Sequence, residues 1–176
     1  MQKDSDIRDL VKISQLTGKD MLLVQGTGGN TSVKSPDKAS MYIKASGVRL
    51  SEVRKNRGYV RVDLQALKSL LTDSHLRKLP PREAQEETTR RIQAITHGSN
   101  SLRPSLETGF HALLDRVVIH THPIYLNAFA CMKKGEEALE EATGQSTPWA
   151  SYQPPGYALA TEVETVSECF SQSIGH

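Results

Sequence analysis

The chain has 176 residues, 37% hydrophobic and 24% charged, enough to bury a core and unlike a disordered or fibrous composition. No apolar run approaches the roughly 20 residues needed to span a bilayer. Residues 1–10 are polar and of mixed charge, unlike a secretory leader, so a cytoplasmic, non-membrane protein is expected. The net charge of +2 is unevenly spread: residues 1–131 carry 20 Lys/Arg against 13 Asp/Glu, and residues 132–176 carry 2 against 7. So mildly basic and aromatic-poor a body argues against nucleic acid and fits a small anionic partner.

Ile7, Leu10 and Val11, behind Asp4 and Ser5, predict an amphipathic first helix ending near Gly18. A short apolar run, Met21 to Gln25, leads into the turn Gly26-Thr27-Gly28-Gly29-Asn30. Thr31–Lys34 and Ser40–Lys44 read as strands on either side of Ser35-Pro36-Asp37, and Tyr59–Val62 as another. Asp63 is placed to cap a short helix carrying Leu64, Leu67, Leu70 and Leu71. Glu83–His97 predicts a polar helix closed by Gly98, and Ser105 opens another running to about Leu114. Val117–Thr121 is β-branched and predicts a buried strand. Helices are expected over Ile124–Ala142, with a break near Gly135, and over Tyr157–Phe170, with Leu159, Val163, Val166 and Phe170 on one stripe. The alternation of strands and helices gives an α/β or α+β layered class in one domain. Cys131 and Cys169 are too few for a disulfide framework and read as reduced core cysteines. The acidic run from Glu136 to Glu141 reads as a solvated helix face.

The chemistry-bearing segment is Val117-Val118-Ile119-His120-Thr121-His122-Pro123. Alternate side chains of a strand share a face, so His120 and His122 project together, with β-carbons roughly 6 to 7 Å apart. Two imidazoles so placed converge on one ion with bonds of about 2.0–2.1 Å, and Pro123 suits the end of the strand. Two polar residues at a strand end with ordinary hydrogen bonds are the plainer alternative. Glu107, thirteen residues earlier at a helix start, is the best further ligand or proton shuttle; a helix-end carboxylate held by the dipole is its plainer reading. His111, one turn on, is placed to bond Glu107, shape the site or serve the core. The turns at 26–32, Lys44-Ala45-Ser46-Gly47 and Pro104-Ser105 offer N–H groups and hydroxyls for a phosphate, although the first matches neither a Walker nor a dinucleotide motif and each singly reads most simply as a turn. His75 and His97 read as surface residues.

In this order, Gly29-Asn30-Thr31-Ser32, Ile43-Lys44-Ala45-Ser46-Gly47, Arg103-Pro104-Ser105-Leu106-Glu107 with His111, and His120-Thr121-His122-Pro123 resemble the class II aldolase/adducin family over almost the whole chain. The resemblance implies a three-layer α/β/α sandwich around a mostly antiparallel sheet. It implies that His120, His122 and Glu107 bind a zinc ion or another divalent metal, with Glu107 also acting as acid/base. It matches Asn30, Ser46, Gly47 and Ser105 to substrate-phosphate positions. The implied activity is aldol cleavage of a ketose phosphate or similar ketose through a zinc-stabilised enediolate. Epimerisation at carbon 4, decarboxylation or dehydration on the same site, and a non-catalytic adducin-like assembly role are the alternatives. Homotetramers with sites at subunit interfaces are implied as well. Two departures stand out. Leu106 occupies a place where the family often has a second Ser, and the family's third zinc-binding His, on a later strand, has no counterpart here. His176 is not in a matching context, so a domain lacking its C-terminal part is expected.

Overall fold

The computed structural model describes residues 2–98 and 102–174, so His176 lies outside the described residues. Five strands, β1 (Asn30–Lys34), β2 (Ser40–Lys44), β3 (Tyr59–Asp63), β4 (Thr96–His97) and β5 (Val117–His120), form one sheet in the order β4-β3-β2-β1-β5. Every neighbouring pair is antiparallel. This is the α/β class with an antiparallel sheet that the sequence predicts.

Alternation along the strands sorts the core into two layers. Val33 and Tyr42, which oppose each other across β1 and β2, pack with Ile7 and Leu10 of helix α1 (Gln2–Thr17). Ser14 of the same helix ties to the sheet through a 2.6 Å bond between its hydroxyl and that of Thr31. On the opposite face, Met41, Ile43, Val60 and Val62 meet the leucines of α2 (Leu64–Leu71), together with Ile92, Phe110, Tyr157 and Ala160. Those last residues come from α4 (Pro81–Ala94), α5 (Thr108–Leu113) and α8 (Tyr157–Ile174). A short α3 (Ser74–Lys78) precedes α4, and α6 (Ile124–Ala130) and α7 (Gly135–Thr143) lie between β5 and α8. Asp63 caps α2 as expected, its carboxylate accepting the Ala66 N–H at 2.9 Å. Each fully buried leucine of α2 contributes about 1.5–3 kcal/mol relative to exposure. The described residues therefore form an α/β/α sandwich, with α1 on one face and α2, α3, α4, α5 and α8 on the other.

Three expectations are corrected. The helix read over Glu83–His97 stops at Ala94, because Thr96 and His97 pair with Val62 and Arg61 as β4; ladder hydrogen bonds outweigh the helical preference of the segment. The strand read as buried over Val117–Thr121 is an edge strand. Val118 is buried, but Val117 and Ile119 are 41% and 51% exposed, because β5 is the last strand of the sheet and the packing of α1 centres on β1 and β2. Cys131 and Cys169 are free but exposed rather than in the core, since α6 and the end of α8 lie at the periphery.

Candidate metal centre

The site forms where β1 and β5 end together. Asn30 lies opposite His120 across the β1–β5 pair, and Ser32 opposite Val118, so Asn30, Ser32 and His120 share the face that α5 covers. Two residues on, His122 is fixed in place by a bond from its N–H to the Leu23 carbonyl, 2.8 Å. The strand itself ends at His120, and Pro123 is the N-cap of α6. Glu107 enters from the other side, at the N-cap of α5.

Ligand atoms of Glu107, His120 and His122 all lie within 4.8 Å of one another. The Nε2 atoms of the two histidines are 3.1 Å apart, and Nδ1 of His120 lies 3.5 Å from Glu107 Oε2. Two nitrogens bound tetrahedrally at 2.0–2.1 Å would sit roughly 3.3 Å apart, so the pair is already near ligand spacing. His120 Nδ1, the nitrogen that faces Glu107, is buried without a hydrogen-bond partner among the described residues. The set of two imidazoles and one carboxylate thus fits a divalent ion.

A second ring of contacts holds the carboxylate. Asn30 donates from Nδ2 to Glu107 Oε2 at 2.6 Å and to Ser105 Oγ at 3.0 Å. The Ser105 hydroxyl donates to the same carboxylate oxygen at 3.2 Å. Burial pushes the Glu107 carboxyl up, but the approach of His120 and the bonds from Ser105 and Asn30 outweigh it and hold the group at about 2. It is a carboxylate at neutral pH. Burial, His120 and Lys44 lower His122 against the pull of Glu107, which favours the neutral, metal-binding imidazole. The rings are set by packing, with Phe110 edge-on to His120 at 5.4 Å and stacked on His111 at 4.8 Å.

Three turns converge around this cluster. Gly28 and Gly29 press against the histidine strand. A β-carbon on Gly28 would lie 3.0 Å from His122 Nδ1, and one on Gly29, whose φ is +69°, would lie 2.7 Å from the His120 carbonyl oxygen. Ser46 and Gly47 are exposed in the turn after β2, and the Ser46 N–H bonds the Arg103 carbonyl at 2.9 Å, on the segment leading to Ser105. Asn30, Ser105, Glu107, His120 and His122 are thereby linked directly. Ser46 and Gly47 join them through the backbone.

Two residues acquire parts the sequence reading had not assigned. Lys44 is completely buried, and its ammonium donates to Thr27 O (3.1 Å) and Val48 O (2.7 Å), clamping the first turn to the second. His111 bonds the Ser32 hydroxyl at 2.8 Å through Nδ1, not the Glu107 side chain. Burial, aided by His120 and Lys34 and opposed by Glu107, lowers it to about 3, so it is a neutral strut beneath the site. Strand alternation could have found Ser32, two residues from Asn30; no local signal marks Lys44 as a clamp.

Residues 8–173 match the family Class II Aldolase and Adducin N-terminal domain. The chain belongs to this family. It is 28% identical over 167 residues to the uncharacterized oxidoreductase YuxG of Bacillus subtilis (strain 168), covering 90% of this chain but 23% of that protein. The chain thus spans less than a quarter of the curated relative it matches. Its fold is similar to the N-terminal class II aldolase domain of a conserved protein from Thermoplasma acidophilum, with a TM-score of 0.72 and 24% identity over 94% of this chain and 75% of that one. YgbL from Klebsiella pneumoniae shares the fold at a TM-score of 0.59 and 16% identity, over 95% and 72%. No described helix is long and apolar enough to cross a membrane.

Proposed function

We propose that this class II aldolase-family chain is a metal-dependent carbon–carbon lyase domain acting on a ketose phosphate or a related ketose, with Glu107, His120 and His122 as ligands to zinc or a similar divalent ion. The convergence of these three side chains beside Asn30 and Ser105 carries the reading. A bound ion supplies Lewis-acid polarisation of a substrate carbonyl. The chain's own residues do the rest. Asn30, Ser46, Gly47 and Ser105 offer an amide, hydroxyls and a backbone N–H to an anionic substrate group, and Lys44 places a buried positive charge beneath the turns that carry them. Glu107 at about 2 is a poor base at rest. It gains basicity only when its bonds to Asn30 and Ser105, or the approach of His120, are released, so the proton transfer is coupled to substrate arrival.

Work as a homo-oligomer, tetrameric in the form the resemblance implies, is part of the proposal. Leu22, Ile124, Tyr125 and Leu126 are exposed next to His122, where Ile124 N–H bonds Leu22 O, and so continuous an apolar surface beside a site fits a subunit contact. Two free, exposed cysteines suit the reducing cytoplasm.

The test is zinc stoichiometry and affinity of the purified chain beside a His120→Ala/His122→Ala variant, followed by turnover of a panel of ketose phosphates with Glu107→Ala. Binding near one ion per chain that the double variant loses supports the ligand set. A folded wild-type chain that holds no zinc, manganese or cobalt overturns it. Unchanged turnover in Glu107→Ala overturns the acid/base role.

A further inference from the structure

A second polar cluster lies on the other face of the sheet. Helix α1 packs mainly on β1 and β2 and reaches β3 only at Tyr59, so Arg61 of β3 and His97 of β4 are left exposed on the α1 side. Arg61 stands directly opposite Tyr42 of β2 and His97 of β4, so the three side chains form one row across three strands. Tyr59 is two residues from Arg61 and therefore on the same face. Lys3, from the first turn of α1, and Arg57, from the turn before β3, close over the row. These six are among the residues that line a cavity of about 470 Å³.

The charge of this cavity is one-sided. Lys3, Arg57 and Arg61 contribute three cations and His97 an imidazole, and no carboxylate lines it among the described residues. None of the three cations forms an ion pair among the described residues, unlike Arg91 with Asp73 or Arg116 with Asp6. Asp4, whose charge reaches Tyr59, is paired to Lys55 at 3.6 Å instead. Tyr42 and Tyr59 pack edge to face at 6.3 Å and form an aromatic floor. Cations gathered in a concave, partly apolar setting focus positive potential more strongly than the same charges on a convex surface.

We propose that this cavity is a binding site for a small organic diphosphate, separate from the Glu107–His120–His122 centre. The guanidinium groups of Arg57 and Arg61 present planar forks that match phosphoryl oxygens two at a time, and Lys3 adds a point charge. Three cations suit a diphosphate better than a singly charged anion, and the edge-to-face tyrosines give the cavity an apolar base beside the organic part of the ligand. The proposal is independent of what the metal centre does.

Calorimetric titration at about 0.15 M salt, where loose surface attraction is screened, tests it with ADP, inorganic pyrophosphate, inorganic phosphate and sulfate as probes. ADP or pyrophosphate is expected to bind more tightly than phosphate and sulfate. Arg61→Gln and Arg57→Gln should each weaken that binding about tenfold, the loss of one charge-assisted contact. His120→Ala/His122→Ala should leave it unchanged. Absence of ADP and pyrophosphate binding at millimolar concentration overturns the proposal. So does equal binding by the arginine variants, or sulfate binding as tight as that of pyrophosphate. Loss of binding in the histidine variant also overturns it, by assigning the ligand to the metal centre. Circular dichroism of each variant shows that the fold is retained, which exposed positions such as Arg57 and Arg61 permit.

Discussion

The two polar clusters of this sheet are built in opposite ways. Around Glu107, His120 and His122, each side chain is held by neighbours: Asn30 and Ser105 grip the carboxylate, Phe110 lies against a ring, and glycine backbone presses on the histidine strand. Around Arg61 and His97 the side chains are long, exposed and unpaired among the described residues, and only the tyrosine floor is packed. A metal ion demands ligands within a few tenths of an ångström, which calls for a rigid setting. A phosphate is served by charge that closes on arrival. Local packing thus separates a site organised beforehand from one that its ligand would organise.

That contrast is sharpened most by Gly29→Ala. A methyl group there meets the His120 carbonyl in a left-handed backbone conformation, so a loss of at least about 2 kcal/mol in stability is expected. Weaker zinc binding should accompany it. Denaturant midpoints and metal titration check both; a wild-type midpoint would show that the metal-side turn is not rigid at all. Acid is the next lever. His111 titrates at about 3 in the folded chain against an ordinary value near 6.5. Between those values the unfolded chain takes up a proton that the folded chain refuses. The contribution of His111 is therefore complete above about pH 6.5 and is lost as pH falls toward 3, at up to about 1.4 kcal/mol per pH unit. Urea midpoints at pH 7 and 5 should differ in the wild type and differ less in His111→Gln. The smallest effect belongs to the basic cavity: Arg61→Gln should change stability by no more than about 0.5 kcal/mol, since the side chain is exposed and makes no ion pair among the described residues. A large drop in its melting temperature would erase the distinction between the two clusters.

Much of the framework was legible because it rests on local periodicity. The strands at Ser40–Lys44 and Tyr59–Asp63 and the Asp63 cap follow from alternation, turn chemistry and a hydroxyl or carboxylate at the right offset. Strand alternation suggested that His120 and His122 would project together, but β5 ends at His120, and His122 is held beyond it by its bond to the Leu23 carbonyl. Helix ends and burial were less legible. Thr96 and His97 carry helix-compatible neighbours, yet Val62 and Arg61 offered them a ladder from more than thirty residues away. Val117 and Ile119 have the composition of a buried strand, and the placing of β5 at the sheet edge leaves them open. The approach of Glu107 to the histidines was suggested by the family pattern, whereas Asn30, which bonds Ser105 and Glu107, lies 75 and 77 residues from them.

By itself, the sequence determined which residue types could hold a metal, which faces of the strands they occupy, and which family the motifs resemble. Those properties depend on backbone periods of two and 3.6 residues and on side-chain chemistry, all of them local. Only the tertiary structure decided that Lys44 clamps two turns, that His111 leans on Ser32, and that Lys3, Arg57, Arg61 and His97 meet over two tyrosines. Each depends on elements distant in sequence being brought to one place by burial of the core, and the free energy of that burial is non-directional and leaves no short-range signature.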